Sequence, residues 1–520
     1  MSDSTAGSKL QSLEQLKVLR QQLKANDRKL VLCHGHFNTI HPGHLRFLQF
    51  AREQGDALVI AVMNLNELSP QVRASYFDQR ARALNVAALD MVDAVYCIEG
   101  SVLDVITAIE PEVFVKGREF EEHRELIADQ ISAVESHGGK VVFGSGEVEY
   151  SATSVFGAPQ WRARSDRYRQ FIEVCSRNGL RISSLIDATK TFEKVKLMVV
   201  GDTIVDQFVS CDVLGVSAEA PVMTIRELQA QEFVGGAAII ACHAQTLGAA
   251  CTYVSVVGDD APGEFLQRKL GQAGVAHLLL RDSSRPTTYK IRYMVEHQKM
   301  LRVSRLRQHA LSTELEETLI DRIAKRLPGM DGIVVADFVY GVLTPRVLSA
   351  IEALAKQHGV KLFGDLQCSS QTGDASRFRG TTLLTPTERE ARIALGDQTS
   401  GVEALASQFL EKTGAANMVL KLGAKGLVTY TPRADVPGAF RTAYFPALES
   451  HPVDVSGAGD ALLATMAVGM CAGLDVVSAA AAGTCSAAIS VGRVGNVPVT
   501  AEELVDHLHY IQQHEASYSL

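Results

Sequence analysis

Two short stretches of the chain carry residue types whose spacing suits phosphate chemistry. The first runs His34, Gly35, His36, Phe37, Asn38, Thr39, Ile40, His41, Pro42, Gly43, His44, four histidines within eleven residues. His41 and His44 stand three apart, so on a helix that begins at Pro42 both can face one ligand and donate hydrogen bonds to it. Pro42 suits a first helical turn, whose unpaired N–H groups and positive dipole end attract phosphate. The same histidines admit two other readings, a surface loop without chemistry and a metal site. The second stretch runs Asp454, Val455, Ser456, Gly457, Ala458, Gly459, Asp460, ahead of a long segment rich in Ala, Leu and Met. Gly457, Ala458 and Gly459 let backbone N–H groups at a helix start close around a transferring phosphoryl group. Asp460, three residues after the first glycine, is then placed to take the proton of an attacking hydroxyl. Read without chemistry, these residues make a glycine-containing helix cap.

The elements around them alternate between short apolar runs and amphipathic stretches. From Lys29 the order is KLVLCH, a helix after Pro42, ALVIAVM, a helix near 76–89, DAVYCI, EVFVKG and KVVFG. Strands separated by helices predict a parallel sheet with right-handed crossovers. The histidine stretch then falls just past a strand, where open parallel sheets bind their ligands. Leucines at helical spacing over 8–26 predict an amphipathic docking helix. The arginine-rich segment 158–184 has no long apolar run and reads as a helical linker. A second alternation starts with VKLMVVGD near 195 and continues through GIVVADF, VKLFGDL, TTLLTP and NMVLKLG to a helical, alanine-rich end. The expected class is α/β, with two doubly wound domains. Their bounds are 1–28 for an N-terminal helix, 29–157 for the first domain, 158–184 for the linker and 185–520 for the second.

Composition narrows the partners. At 520 residues the chain exceeds what one hydrophobic core organises, and 46% hydrophobic with 21% charged residues is ordinary for a globular protein. A formal charge of −8 leaves no large positive field, which argues against a nucleic-acid groove or an anionic membrane surface. Nine cysteines are scattered singly with no CxxC pair, as reduced thiols of a cytoplasmic protein would be. No apolar run is long enough for a signal peptide or a membrane span.

The first stretch belongs with Gln79 and Arg80, Val-Lys-Gly at 115–117, and Ser151 with Thr153. In that order they resemble the HxGH-type nucleotidylyltransferases, over residues 29 to 156. The resemblance implies that a sugar phosphate attacks the α-phosphate of a nucleoside triphosphate and that pyrophosphate leaves, without a covalent intermediate. It makes His41 and His44 catalytic, and Gly35, Phe37, Arg80, Lys116, Ser151 and Thr153 the nucleotide and phosphate contacts. Alignment and positive charge then supply the catalysis. Arg80 and Lys116 are otherwise plain surface cations. His36 stands where the family has a small or apolar residue, and Asn38 where it has Asp.

From 185 to 515 the chain is similar to the ribokinase-like carbohydrate kinases. GDTIVDQF at 201–208, SAEAPV at 217–222, GGAA at 235–238, LLTPTERE at 383–390 and the Asp460 loop follow in the family's order. The resemblance implies that Asp460 is the general base and that Gly457, Ala458 and Gly459 grip phosphate. It puts Glu390 near the Mg²⁺ and phosphate network, and Asp206, Gly235 and Gly236 at the sugar. Segments near 211–232 and 286–303 would form a small β lid that also carries dimer contacts. Four positions depart: Ile239 replaces an asparagine that faces the sugar, Tyr340 and Gln367 each replace a lysine, and Thr387 replaces an asparagine.

Together the halves resemble the bifunctional ADP-heptose synthases with their order reversed. That implies ATP and Mg²⁺, with CTP as the alternative for the transferase, and no metal held directly by a protein cluster. The implied partners are a sugar or sugar phosphate and a second copy of the chain through the lid. A second reading stays open, in which the altered kinase half is a ligand-sensing or dimerising module.

Overall fold

In the computed structural model the described residues are 5–38, 40, 42–65, 76–117, 120, 127–144, 160–216, 222–295, 298–367, 377–433, 436 and 439–518. The chain divides into two compact units, Met1–Pro159 with Asp397–Leu405, and Gln160–Gly396 with Ala406–Leu520.

The first unit is built on five parallel strands, β1 (Leu30–Gly35), β2 (Ala57–Val62), β3 (Ala94–Cys97), β4 (Val113–Gly117) and β5 (Lys140–Gly144). The apolar runs of β1 and β2 are buried on both faces, as strands covered by helices on each side must be. The spatial order is β3-β2-β1-β4-β5, so the winding reverses between β1 and β4. A crevice for ligand opens at such a reversal, beyond the carboxyl ends of the two strands. Helix Leu13–Ala25 starts at Ser12 with a capping box to Gln15 and buries Leu16 and Leu23 against one face of the sheet. Two unpaired donors are satisfied by that box, which fixes where the docking helix begins.

The second unit has a nine-stranded sheet in the order β10-β9-β6-β13-β14-β15-β16-β17-β18. Its members are β6 (Lys196–Gly201), β9 (Ala250–Val257), β10 (Ala276–Arg281), β13 (Gly332–Asp337), β14 (Lys361–Leu366), β15 (Leu383–Leu384), β16 (Met418–Lys421), β17 (Leu427–Pro432) and β18 (Phe440–Phe445). All pair in parallel as far as β16, and β17 and β18 close the edge antiparallel. A separate four-stranded sheet, β12-β11-β7-β8, forms the lid. It consists of β7 (Thr203–Val216), β8 (Met223–Gly236), β11 (Thr288–Val295) and β12 (Gln298–Arg305), of which the first pair extends beyond the segment expected from sequence at both ends.

Helices Ala458–Cys471 and Val476–Val491 are buried almost all round, which their Ala-rich faces, uncharged apart from Asp460, permit. The segment read from sequence as a linker is helical over Gln160–Arg177, and its Tyr168, Phe171, Ile172 and Cys175 lie in the core of this unit. These four recur at helical spacing beneath the arginines, so one face is apolar although the segment as a whole is polar.

Candidate active sites

In the first unit the ends of β1 and β4 flank the winding reversal and bring His34, Gly35 and Lys116 together. Lys116 is only 5% exposed, and its Nζ donates to His34 Nε2 at 2.8 Å. Burial, then the Lys116 charge, pushes His34 down to about 3, so its ring stays neutral and can accept that bond. The Lys116 ammonium also lies 3.9 Å from the centroid of the Phe120 ring. Lys116 is therefore a held cation and not a loose surface one. A Cβ on Gly35 would approach the Phe37 ring to 3.1 Å, closer than ordinary contact, so the glycine leaves that ring its place. Phe37 is buried at φ +47° and packs its ring 5.2 Å from that of His44, on the first turns of helix Pro42–Arg52. Asn38 accepts from the Phe77 N–H at 2.8 Å, an anchor for the loop. Gln79 donates to the Val62 and Ile98 carbonyls, both at 2.9 Å, which ties the ends of β2 and β3 to helix Gln79–Ala87. Arg80, next on that helix, is exposed. His41, Ser151 and Thr153 lie outside the described residues.

Arg82 carries no assignment from sequence, yet it is fully buried. It donates to the carbonyls of Phe77 at 3.0 Å and Met63 at 2.9 Å, and to that of His36. The segment after β1 and both ends of the connection from β2 to helix Gln79–Ala87 are thereby fastened to one guanidinium, which a rigid fork of five donors can do and a lysine cannot.

In the second unit a cavity of 660 Å³ is lined by Asp206, Gly236, Glu390, Gly457, Ala458, Gly459 and Asp460, residues far apart in sequence. Gly457 adopts φ +78° and starts helix Ala458–Cys471, whose first turn holds Asp460. A glycine is required there, since a left-handed residue with a side chain is strained and a Cβ would also meet Asn496 Oδ1 at 2.7 Å. Asp460 is 7% exposed and accepts from Gln367 Nε2 at 2.9 Å. Burial and the neighbouring Asp365 charge push its carboxyl up to about 7, against the opposing pull of Lys421. Asp365 accepts from Lys421 Nζ and Thr385 Oγ1, each at 2.8 Å, and from Gln367 Nε2 at 3.2 Å. Asp206 accepts from Arg292 at 2.5 Å and from Asn496 Nδ2 at 2.9 Å. Gly235 does not line the cavity, but a Cβ on it would reach Asp206 Oδ2 at 2.4 Å, so the glycine makes room for that carboxylate.

The replaced positions resolve differently. Ile239 is fully buried in helix Ala237–Thr246 within the apolar core and is absent from the cavity wall. An apolar side chain gains by burial there, and the amide beside Asp206 comes from Asn496 instead. Tyr340 is buried, with its ring stacked on Phe338 and 5.2 Å from Lys290 Nζ. Thr387 caps helix Glu388–Leu395 through a capping box with Glu390, so Glu390 is both a cap partner and part of the cavity wall. Threonine serves that cap as an asparagine would. Asn496, Asp365, Lys421 and Arg292 were not singled out from sequence, and only their place in the fold marks them.

Comparison with known proteins bears on both units. The profile of the pfkB family carbohydrate kinases matches residues 194–502, more than half of the chain. The chain belongs to the pfkB carbohydrate kinase family. Ahead of that match, residues 32–141 fit a cytidylyltransferase-like profile, over the sheet that carries His34 and Lys116. Among curated proteins the chain is 32% identical over 329 residues to the Bifunctional protein HldE of Pelobacter propionicus. That match takes in 62% of this chain and 65% of the relative. It is 33% identical over 321 residues to the protein of the same name in Rhodopseudomonas palustris, 61% of this chain and 64% of that one. The chain thus spans just under two thirds of the length of these relatives. Among solved structures, phosphofructokinase-2 of Escherichia coli in complex with substrates and products superposes with a TM-score of 0.51 at 14% identity, covering 61% of this chain and 99% of that chain. That likeness is one of fold, and it is the fold of a pfkB kinase.

Proposed function

We propose that the chain is a bifunctional enzyme of nucleotide-sugar synthesis, a sugar or sugar-phosphate kinase joined to a sugar-1-phosphate nucleotidylyltransferase. The observation that carries it is the single cavity in which Asp206, on the sugar side, and the buried Asp460, at a glycine-opened helix start, line the same space. In the kinase step the substrate hydroxyl gives its proton to Asp460 as its oxygen bonds the γ-phosphorus of ATP. The bond from that phosphorus to the bridging oxygen breaks, and ADP leaves with the electron pair. Backbone N–H groups at Gly457, Ala458 and Gly459 face the transferring group. Asp206, positioned by Arg292 and Asn496, orients the sugar. The names of the HldE relatives agree with two activities in one chain. The contacts made by Asn496, Gln367 and Thr387 favour a working kinase over a relaxed binding module.

In the transferase step a sugar 1-phosphate attacks the α-phosphate of ATP, or of CTP, and pyrophosphate leaves. His41, His44, Arg80 and Lys116 place charge and hydrogen bonds where negative charge develops, with Gly35, Phe37, Ser151 and Thr153 around the nucleotide. Among the described residues no group of three or more His, Cys, Asp or Glu side chains could hold a metal ion. A magnesium ion would come with the nucleotide phosphates, with Glu390 of the cavity wall to hold it, and would neutralise charge on those phosphates. The eight cysteines among the described residues are free, and none of the helices searched is long and apolar enough to cross a membrane. Both facts suit the cytoplasm, where thiols stay reduced.

The test is a pair of assays on the full chain: ADP formed from ATP across a panel of sugars and sugar phosphates, and pyrophosphate formed from each nucleoside triphosphate with sugar 1-phosphates. Silence in both would end the proposal. The lid supports a homodimer, since Leu214, Met223, Leu228 and Leu301 are each more than half exposed on its strands. Isolated exposed apolar residues are common, and four of them on one small sheet suit an interface. Light scattering should give twice the chain mass, and Leu228→Glu with Leu301→Glu should give one. A monomeric parent chain would remove the lid contact from the proposal.

A further inference from the structure

Of the cations that line the kinase cavity, the one beside the glycine loop comes from an unexpected strand. Lys421 is the last residue of β16, and its side chain is 13% exposed in the cavity wall. Its Nζ lies 2.8 Å from Asp365 Oδ1, and a Cβ built on Gly459 would stand 3.3 Å from it. The ammonium therefore rests on the first turn of the helix that presents Asp460, beside the glycine loop. Asp365 holds it in place, because that carboxylate is itself fixed by Thr385 and Gln367. An ammonium has three donors, and Asp365 accepts the one hydrogen bond recorded for Nζ among the described residues. Gln367 meanwhile fills the position where the family resemblance expects a lysine, and it spends its amide on Asp460 and Asp365.

We propose that Lys421 is the cation that meets the γ-phosphoryl group of the nucleotide, in place of the lysine that Gln367 has displaced. The inference rests on the kinase reading of this cavity, but it concerns binding as well as turnover. As the hydroxyl oxygen bonds the γ-phosphorus and ADP departs, Lys421 keeps its proton and faces the oxygens that carry the charge. A purely structural lysine would do no more than neutralise Asp365 and Asp460.

Binding separates these roles. The full chain with His41→Ala and His44→Ala, which disarms the transferase site, is titrated calorimetrically with ADP and with β,γ-imido ATP. The parent should prefer the imido nucleotide. Adding Lys421→Met should weaken the imido nucleotide by at least about tenfold and ADP much less, with kcat of the kinase falling about a hundredfold. The acid limb of the rate should also move to higher pH, because Asp460 loses a neighbouring positive charge. A folded Lys421→Met chain that binds both nucleotides as the parent does would overturn the assignment. If that chain does not fold, Lys421→Gln, which keeps a donor for Asp365 without charge, is read by the same criteria. A chain that prefers the imido nucleotide through Lys421 but phosphorylates no sugar supports the lysine and removes the kinase reading. Unchanged turnover in Lys421→Met does the reverse.

Discussion

Asp460→Asn should lower sugar-dependent ADP release by a factor between about 100 and 10,000 and leave pyrophosphate release from the transferase reaction at the parent rate. The reasoning is geometric first. Asp460 lies on the first turn of a helix whose start is opened by Gly457, in one cavity with Asp206. Asparagine keeps the shape and the hydrogen bond with Gln367, so folding and nucleotide binding should survive. It cannot take a proton. The same side chain predicts the pH dependence. Burial and Asp365 push the Asp460 carboxyl up to about 7, and only its ionised form is a base. Kinase rate should therefore fall as pH drops through about 7 and level off above it. A rate unchanged between pH 5 and pH 8 would contradict a base with this environment, and so would an Asp460→Asn chain with parent kcat.

The second large effect belongs to the other unit. His44→Ala and Lys116→Met should each cut pyrophosphate release by about a hundredfold or more, the usual cost of removing one oriented charge or donor at such a site. For Lys116 the expectation follows from its surroundings: it is buried, held by a neutral His34, and set at the end of β4 beside the reversal of the sheet. Methionine keeps an unbranched side chain of similar length and removes the ammonium that lies over Phe120 and donates to His34. Kinase turnover in both variants should match the parent chain. Parent-level pyrophosphate release in either variant would show that its charge is not used.

Much of the frame was legible in the sequence because buried parallel strands write themselves as apolar runs. KLVLCH, ALVIAVM and EVFVKG appear as β1, β2 and β4, and GIVVADF and NMVLKLG as β13 and β16. The two phosphate stretches were legible because glycine, proline and histidine have positional meanings that a short window preserves. What a window cannot hold is company. Asn496 reaches Asp206 from 290 positions away, and Lys421 meets Asp365 across 56. Nothing local distinguishes either from a surface polar residue. Ile239 shows the converse, for the family resemblance sets an asparagine of that position against the sugar, while the isoleucine here lies in the apolar core. The arginines over 160–177 hid an apolar stripe in the same way, since composition averages over faces that a helix keeps apart.

The clamp formed by Arg82 has a consequence for how the first crevice meets its ligand. One guanidinium fastens the carbonyl of His36, after β1, to those of Met63 and Phe77, at the two ends of the connection that leaves β2, so those segments cannot drift independently. A mouth shaped in advance loses little entropy when a nucleotide enters, and its attraction for the nucleotide need not be diverted into ordering loops. New base preferences should then be acquired by changing side chains on this rim, because any change in its backbone course would have to break all three attachments together.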